Sequence, residues 1–121
     1  MVSLKSYYDF MEVIHYQAKD GTDIFQEWLD GLRDIRAKVA ILRRVDRTTQ
    51  GNFGDHKACR DGVSEMRLDY GPGYRVYYFQ YGTMIVVLLC GGDKGSQDAD
   101  IRQAVAFKAD FLCRIKEFDH D

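Results

Sequence analysis

The sequence contains few of the residues that mark a specialised class of protein. Its 121 residues include one proline and three cysteines, Cys59, Cys90 and Cys113, which have no C-x-x-C spacing. An odd cysteine count without that spacing argues against a disulfide scaffold or a zinc site, and it fits a reducing cytoplasm. We therefore expect a cytoplasmic protein.

Long apolar runs are also missing. The longest, "MIVVLLC" at 84–90, has the length of a strand and falls well short of the ~20 residues that a membrane span needs. The start, "MVSLKSYYDF", has too little apolar length for a signal peptide and shows no clear strand or helix period. The sequence predicts no membrane association, and residues 1–10 are expected to be an N-terminal extension.

The chain lacks a strong excess of either charge. Lys and Arg number 17 against 19 Asp and Glu, which gives a formal net charge of −2. No global field therefore attracts nucleic acid, and any anion-binding role has to come from local clusters of cations. The composition, 45% hydrophobic and 30% charged, is ordinary for a globular protein and predicts a single domain over residues 1–121.

The order of predicted elements is strand, helix, helix, three strands, helix. The first strand is "EVIHYQ", and Thr22 or Asp23 in "DGTD" caps the first helix; the second helix runs from 34 to about 49. The later strands are "SEMRLDY", "YRVYYFQY" and "MIVVLLC", of which the last is apolar on both faces and predicted to be central. "GGDKGSQD" is expected to break the sheet, and Ser96 or Asp98 caps a final helix to about Glu117. This order predicts an α+β fold, with two N-terminal helices and a C-terminal helix on an antiparallel-dominated sheet.

Two arginines fall on one face of the predicted central hairpin. If "GPG" is a three-residue loop, Tyr70 faces Tyr74, and alternation makes Arg67 and Arg75 diagonal neighbours. Tyr77 shares their face. A two-residue "GT" turn would then place Arg75 opposite Cys90.

That register also brings Lys94 to the same end of the sheet, so three cations from three segments converge. One interpretation pairs Arg67 and Arg75 with Glu65 and Asp69 as weak surface salt bridges. The alternative is an anion-binding site made by Arg67, Arg75 and Lys94.

The second predicted helix carries a stripe of arginines. At 100° per residue, the positions that fall within an arc of about 100° are Arg33, Arg36, Arg43, Arg44 and Arg47. The stripe is either a solvated helix face or a phosphate-contacting surface, since arginine suits bidentate phosphate contacts. His56 and Lys57 precede the hairpin, and His56 is a possible catalytic base.

Three motifs, "GNFGD-K", "GV-E-R--YGPGYRVY" and "LLCGGDK--Q--DI--A", occur in this order over roughly residues 11–115. Together they resemble the RelE/ParE toxin superfamily, in particular the phage-related addiction-module killer proteins close to HigB-type toxins. The resemblance implies a RelE-like fold and the toxin of a type II toxin–antitoxin module, neutralised by a cognate antitoxin. It also implies an endoribonuclease (an mRNA interferase) that acts on the ribosome through attack of the RNA 2′-hydroxyl on the adjacent phosphate, with no metal or cofactor.

Carried over by position, the resemblance implies catalytic roles for Arg67, Arg75 and Lys94. Lys57 lies near the basic stretch that RelE-like toxins carry ahead of the hairpin. Tyr77 is expected to stack on a base, and the stripe residues Arg36, Arg43, Arg44 and Arg47 are expected to contact ribosomal RNA. The alternative function is a ParE-like toxin that binds and poisons DNA gyrase without catalysis, and a third is an inactive toxin that only binds its antitoxin.

Overall fold

A five-stranded mixed β-sheet forms the centre of the protein, in a computed structural model that describes residues 10–118. The strands are β1 (Glu12–His15), β2 (His56–Arg60), β3 (Val63–Leu68), β4 (Tyr74–Tyr81) and β5 (Ile85–Asp93), and the helices are α1 (Ile24–Asp30), α2 (Ile35–Arg47) and α3 (Gln97–Phe118). The strand order is β1-β5-β4-β3-β2; β1 pairs parallel with β5 and the other pairs are antiparallel. The predicted α+β fold is confirmed. The expected extension at 1–10 lies, apart from its last residue, outside the described residues.

The strand predicted to be central, β5, is an interior strand, but β4 occupies the middle of the sheet. One strand, β2, was not predicted. It joins β3 through the pair Asp61-Gly62, and both residues have positive φ, 53° and 80°. Asp-Gly favours a two-residue hairpin turn with this backbone conformation. The strand itself, "HKACR", is an exposed edge with only Cys59 partly buried, so it lacks the apolar alternation that identifies a strand.

Helices cover both faces of the sheet. On the face called here the α1/α2 face, the helices contribute Phe25, Leu29, Ile41 and Val45 to a buried cluster with strand residues such as Met66. On the opposite α3 face, the last helix packs over Val63, Tyr77, Phe79, Val87 and Leu89. Burying a large apolar side chain stabilises the fold by about 1.5–3 kcal/mol, so both clusters contribute.

Two glycines let both helical layers approach the end of β5. A Cβ on Gly91 would overlap the ring of Trp28 from α1, and one on Gly92 would overlap the carboxylate of Asp100 from α3. The strand continues through both glycines to Asp93, so the expected break at "GGDKGSQD" comes three residues later than predicted. The glycines serve close packing here rather than a turn.

Helix α2 divides its apolar residues between the core and the surface. Ala37, Ile41 and Val45 are buried. Three others form an exposed apolar strip, namely Ile35 (73% exposed), Val39 (42%) and Leu42 (49%). The strip lies to the side of the core-facing residues and leaves an apolar surface open.

Candidate functional site: a cationic cleft at the sheet edge

The β3–β4 hairpin places Arg67 directly opposite Arg75. Its loop, 69–73, is two residues longer than predicted, so Leu68 rather than Tyr70 faces Tyr74. A register shift of two leaves every side chain on its original face, because the side-chain period of a strand is two. The prediction that both arginines share a face is therefore confirmed, although they are direct partners rather than diagonal neighbours.

A bulge in β5 determines where Lys94 emerges. The pairing of β4 with β5 shifts between Tyr77 and Tyr78, so Arg75 faces Gly92 instead of the predicted Cys90. Lys94 begins the short 3₁₀ turn that follows the strand, and the Asp93 carboxylate fixes this turn by accepting from the Gly95 N–H at 2.8 Å. The side chain of Lys94 thus starts next to the Arg67–Arg75 pair.

Arg67, Arg75 and Lys94 line one cleft of about 350 Å³, called here the cationic cleft. The prediction that the three cations converge is confirmed by this shared lining. Asp55 and Asp69 contribute two carboxylates to the same cleft. The cleft therefore offers three cationic groups to an anion, and its wall also includes two carboxylates.

The two arginines have different surroundings. Arg75 Nε lies 3.2 Å from Oε2 of Glu65, and the two side chains are only 13% and 2% exposed. Arg67 Nη2 lies 2.8 Å from Oδ1 of Asp55, and that pair is 35% and 58% exposed. The interpretation of surface salt bridges is right about Glu65 as a partner but wrong about its exposure, since the Arg75–Glu65 pair is buried. It is also wrong about Asp69, because Arg67 pairs with Asp55 instead.

Glu65 lines a neighbouring cleft and contacts Arg75, which lines the cationic cleft. The second cleft, called here the β2–α3 cleft, has a volume of about 450 Å³, and its lining includes Glu65, Lys57, Arg60, Gln97 and Arg102. Gln97 Nε2 donates to both Glu65 oxygens, at 3.0 and 3.1 Å. Lys57 therefore lies on the same sheet face as the catalytic candidates but lines the adjoining cleft.

The predicted base, His56, is not at the cationic cleft. His56 points to the α1/α2 face, where it lies beside Phe53 and its Nδ1 is 2.8 Å from the Gly54 carbonyl oxygen. It cannot act as the base for a phosphate held on the opposite face of the sheet.

Tyr77 is on the expected face but buried beneath α3, with 0% exposure, so the expectation that it stacks on a base is wrong. Burial raises the pKa of its hydroxyl. That hydroxyl has no hydrogen-bond partner within residues 10–118. Tyr77 is a core residue.

The arginine stripe of α2 also divides in two. Arg44 donates to the carbonyl oxygens of Arg67 at 2.7 Å, and of Phe53 and Asp55 at 3.0 Å each. Burial lowers the pKa of Arg44. Its role is to fix the 53–55 loop against β3, which corrects the expectation that it contacts ribosomal RNA.

The other stripe residues remain exposed. Arg43 and Arg47 line a cleft of about 300 Å³ whose wall includes Leu68 and Asp69, and these two residues also line the cationic cleft. Arg36 lies on the exposed surface nearer the start of the helix. The part of the stripe with Arg43 and Arg47 therefore borders the cationic cleft.

Neither a metal centre nor a membrane span is found in the described part of the chain. Residues 10–118 contain no group of three His, Cys, Asp or Glu side chains placed to hold a metal ion. None of the helices within these residues combines the length and apolarity required to cross a bilayer.

Fold and cleft together define a small α+β protein with three cations converging at one edge of its sheet. No protein-family model matches the chain. An uncharacterized protein of Haemophilus influenzae is 51% identical over 80 residues, which cover 66% of this chain and 81% of that protein. The chain belongs to the same family as the Haemophilus protein.

Proposed function

We propose that this chain is the toxin of a type II toxin–antitoxin module and cleaves mRNA on the ribosome, as its resemblance to RelE-like toxins implies. The observation that carries the proposal is the convergence of Arg67, Arg75 and Lys94 on one cleft. A phosphate gains negative charge as it approaches the transition state of RNA cleavage. Cations held on strands and beside a capped turn stabilise that charge without having to reorganise.

The cleft supplies groups for each part of the reaction. The 2′-hydroxyl oxygen attacks the adjacent phosphorus, the bond to the 5′-oxygen breaks, and a 2′,3′-cyclic phosphate and a 5′-hydroxyl result. Asp69 is proposed to take the 2′-hydroxyl proton, because no ion pair within residues 10–118 engages its carboxylate. Lys94 is proposed to protonate the leaving oxygen, while Arg67 and Arg75 bind the phosphate oxygens.

Two surfaces of α2 support the proposed partners. Arg43 and Arg47 are exposed beside the cleft and Arg36 is exposed nearer the start of the helix, where ribosomal RNA phosphates would complement all three. The exposed apolar strip is proposed to take part in binding the antitoxin, because clustered exposed apolar residues are typical of protein interfaces. The compartment proposed for these events is the cytoplasm.

A second candidate function is poisoning of DNA gyrase through a protein interface. The apolar strip favours it, as does the fact that Arg67 and Arg75 already pair with carboxylates. A toxin that has lost activity and only binds its antitoxin would display the same strip. The fold is compatible with all three functions.

Mapping mRNA ends in a translation extract tests the nuclease function. The most informative variant is Arg75→Lys, because lysine keeps a positive charge near buried Glu65 but lacks the planar fork that binds two phosphate oxygens. Wild-type protein is expected to produce cut ends within translated codons, and Arg75→Lys to reduce their rate of formation by about 10²-fold. Lys116→Ala removes an exposed cation near the end of α3 and serves as the matched control.

The absence of cut ends would reject the nuclease function. A supercoiling assay with purified gyrase would then decide between the remaining candidates. Loss of gyrase activity in the presence of the protein would support the poison, and normal supercoiling together with unaffected growth would support the inactive toxin.

A further inference from the structure

Glu65 is a buried carboxylate with no part in the chemistry proposed above. It is 1% exposed and lies where the cationic cleft adjoins the β2–α3 cleft. Its oxygens are engaged by Gln97 and lie next to Arg75. Glu65 is therefore poorly placed to accept the proton of an RNA hydroxyl, and its presence needs another explanation.

Gln97 fixes the position of this carboxylate. Its side-chain amide donates to both oxygens, at 3.0 and 3.1 Å. Gln97 is also the first residue of α3, so a 22-residue helix rather than a mobile loop carries the donor. A carboxylate with both oxygens held by one amide has little freedom to rotate.

The fixed carboxylate restrains one edge of the Arg75 guanidinium. Nε is 3.2 Å from Oε2, and its N–H is not aligned well enough for a hydrogen bond, so the contact is an ion pair. Nη1 lies on the other side, where it donates a long hydrogen bond of 3.5 Å to the Tyr74 carbonyl oxygen. It is 4.0 Å from the position that a Cβ on Gly73 would occupy, and Gly73 lines the cationic cleft. The pair thus holds the buried edge of the guanidinium and leaves Nη1 on the cleft side.

Stability does not explain a buried ion pair at this position. Burying two charges has a desolvation cost that their attraction often only balances, and apolar residues of similar size are often as stabilising or more so. Catalysis does offer a reason, because a flexible arginine has to be aimed at the phosphate, and a misplacement of about 1 Å can slow a reaction by about 10²-fold.

We propose that Glu65, held by Gln97, is a positioning residue that aims Arg75 at the phosphate bound in the cationic cleft. The proposal rests on the proposed nuclease function, since it concerns the arginine that would bind the scissile phosphate. Its signature is that Glu65 acts only through Arg75.

Kinetics of the full chain on ribosomes test that signature. Glu65→Gln keeps the shape and neutralises the charge, and it is expected to lower kcat by about 10²-fold with KM little changed. In an Arg75→Lys background the same substitution is expected to cause no further loss, because the guanidinium that Glu65 aims is already gone. Glu27→Gln, an equivalent change at an exposed position on α1, is the control and is expected to leave kcat unchanged. Equal losses in both backgrounds would show a merely structural role and overturn the proposal.

A second measurement does not depend on nuclease activity. In the ¹⁵N NMR spectrum of the wild-type protein, the Arg75 Nε–H signal is expected to shift on titration with inorganic phosphate. In Glu65→Gln that phosphate response is expected to disappear while the backbone amide signals stay in place. If the wild type cleaves no mRNA, the nuclease function fails, but this titration still tests the positioning of Arg75. An identical phosphate response in both proteins, or no response in the wild type, would overturn the proposal.

Discussion

The two faces of the sheet are both buried, but they are built from different residues. The α1/α2 face consists of apolar and aromatic side chains, such as Phe25, Leu29, Ile41 and Met66. The α3 face combines a similar apolar cluster with Glu65, whose charge is buried next to Arg75. A buried charge needs a partner and hydrogen bonds to be tolerated, whereas apolar burial stabilises a fold directly.

The difference indicates a division of labour between the faces. The α1/α2 face contributes stability and presents the stripe and the apolar strip on its outer helix. The α3 face accepts the cost of buried polar groups and carries the cationic cleft at its edge. Substitutions on the two faces should therefore separate stability from activity.

The largest effect is expected for Phe25→Ala on the α1/α2 face. Phe25 is 1% exposed and packs against His15 and Trp28, so truncation leaves a cavity in the core. We expect a loss of about 3–5 kcal/mol in the free energy of unfolding, measured by urea denaturation. Phe118→Ala, at a position that is 83% exposed, is the control and should change it by less than about 0.5 kcal/mol. Equal effects of the two substitutions would contradict the assigned core.

Arg75→Ala should be nearly as destabilising, for a different reason. It leaves Glu65 as a buried carboxylate without its cation, which typically costs about 3–5 kcal/mol. The double variant Arg75→Ala/Glu65→Gln should regain much of this loss in urea denaturation, because no uncompensated charge remains. Simple additivity of the two substitutions would show that the ion pair has no energetic coupling. Because Arg75→Ala is expected to destabilise the fold, Arg75→Lys is the better variant for measuring activity.

Arg44→Ala should have an intermediate effect. It removes three hydrogen bonds from one half-buried guanidinium to backbone carbonyls, two of them from the same Nη2, so we expect a total loss of about 1.5–3 kcal/mol. Arg43→Ala, one position earlier on the exposed part of the stripe, should change the free energy of unfolding by less than about 0.5 kcal/mol. Ribosome binding should instead be weakened more by Arg43→Ala than by Arg44→Ala. Replacing Arg36, Arg43 and Arg47 by glutamate should weaken ribosome binding and make it less dependent on salt. Unchanged ribosome association in that triple variant would leave the stripe as a solvated surface.

Patterns of period two and 3.6 were sufficient to predict most of the fold. Both loop lengths next to β4 were wrong, and Arg75 still came out on the same face as Arg67, since the β3–β4 register was off by two. On the β5 side, a longer turn and a bulge each added one residue, so the errors again summed to two. The face on which a side chain lies is thus predicted more reliably than its partner on the next strand, because a register error of two residues leaves every side chain on the same face.

Contacts between distant segments could not be predicted in this way. Gln97 and Glu65 are separated by 32 positions, and nothing local to either residue indicates that they meet. Arg44 falls at the edge of its stripe nearest the buried face, yet two of its three carbonyl partners belong to a loop that the pattern leaves undefined. One usable signal was overlooked, the Asp-Gly pair after "HKACR", which indicates a hairpin and hence an additional strand.

The α3 face should also make stability fall at alkaline pH. Burial and a 2.7 Å hydrogen bond to Asp110 raise the pKa of Tyr16 from 10.0 to about 12. Between these values the folded state binds more protons than the unfolded state, so the free energy of unfolding decreases as pH rises. Tyr16→Phe should therefore show a shallower decrease between pH 10 and 12 in urea denaturation. A slope equal to that of the wild type would assign the pH dependence to other groups, such as Cys90. Burial raises the pKa of the Cys90 thiol to about 12.

The smallest effect is expected at the exposed counterpart of the Glu65–Arg75 pair. Asp55 and Arg67 are 58% and 35% exposed, so water already solvates both charges and their 2.8 Å contact contributes about 0–1 kcal/mol. Asp55→Asn should lower the free energy of unfolding by no more than that, and the difference should shrink further in 1 M salt, which screens exposed charges. Glu65→Gln, the same chemical change at the buried pair, should be both larger and nearly independent of salt. If the two substitutions had equal effects with equal salt dependence, the arginines would share one environment, and the contrast between a restrained Arg75 and a solvated Arg67 would be wrong.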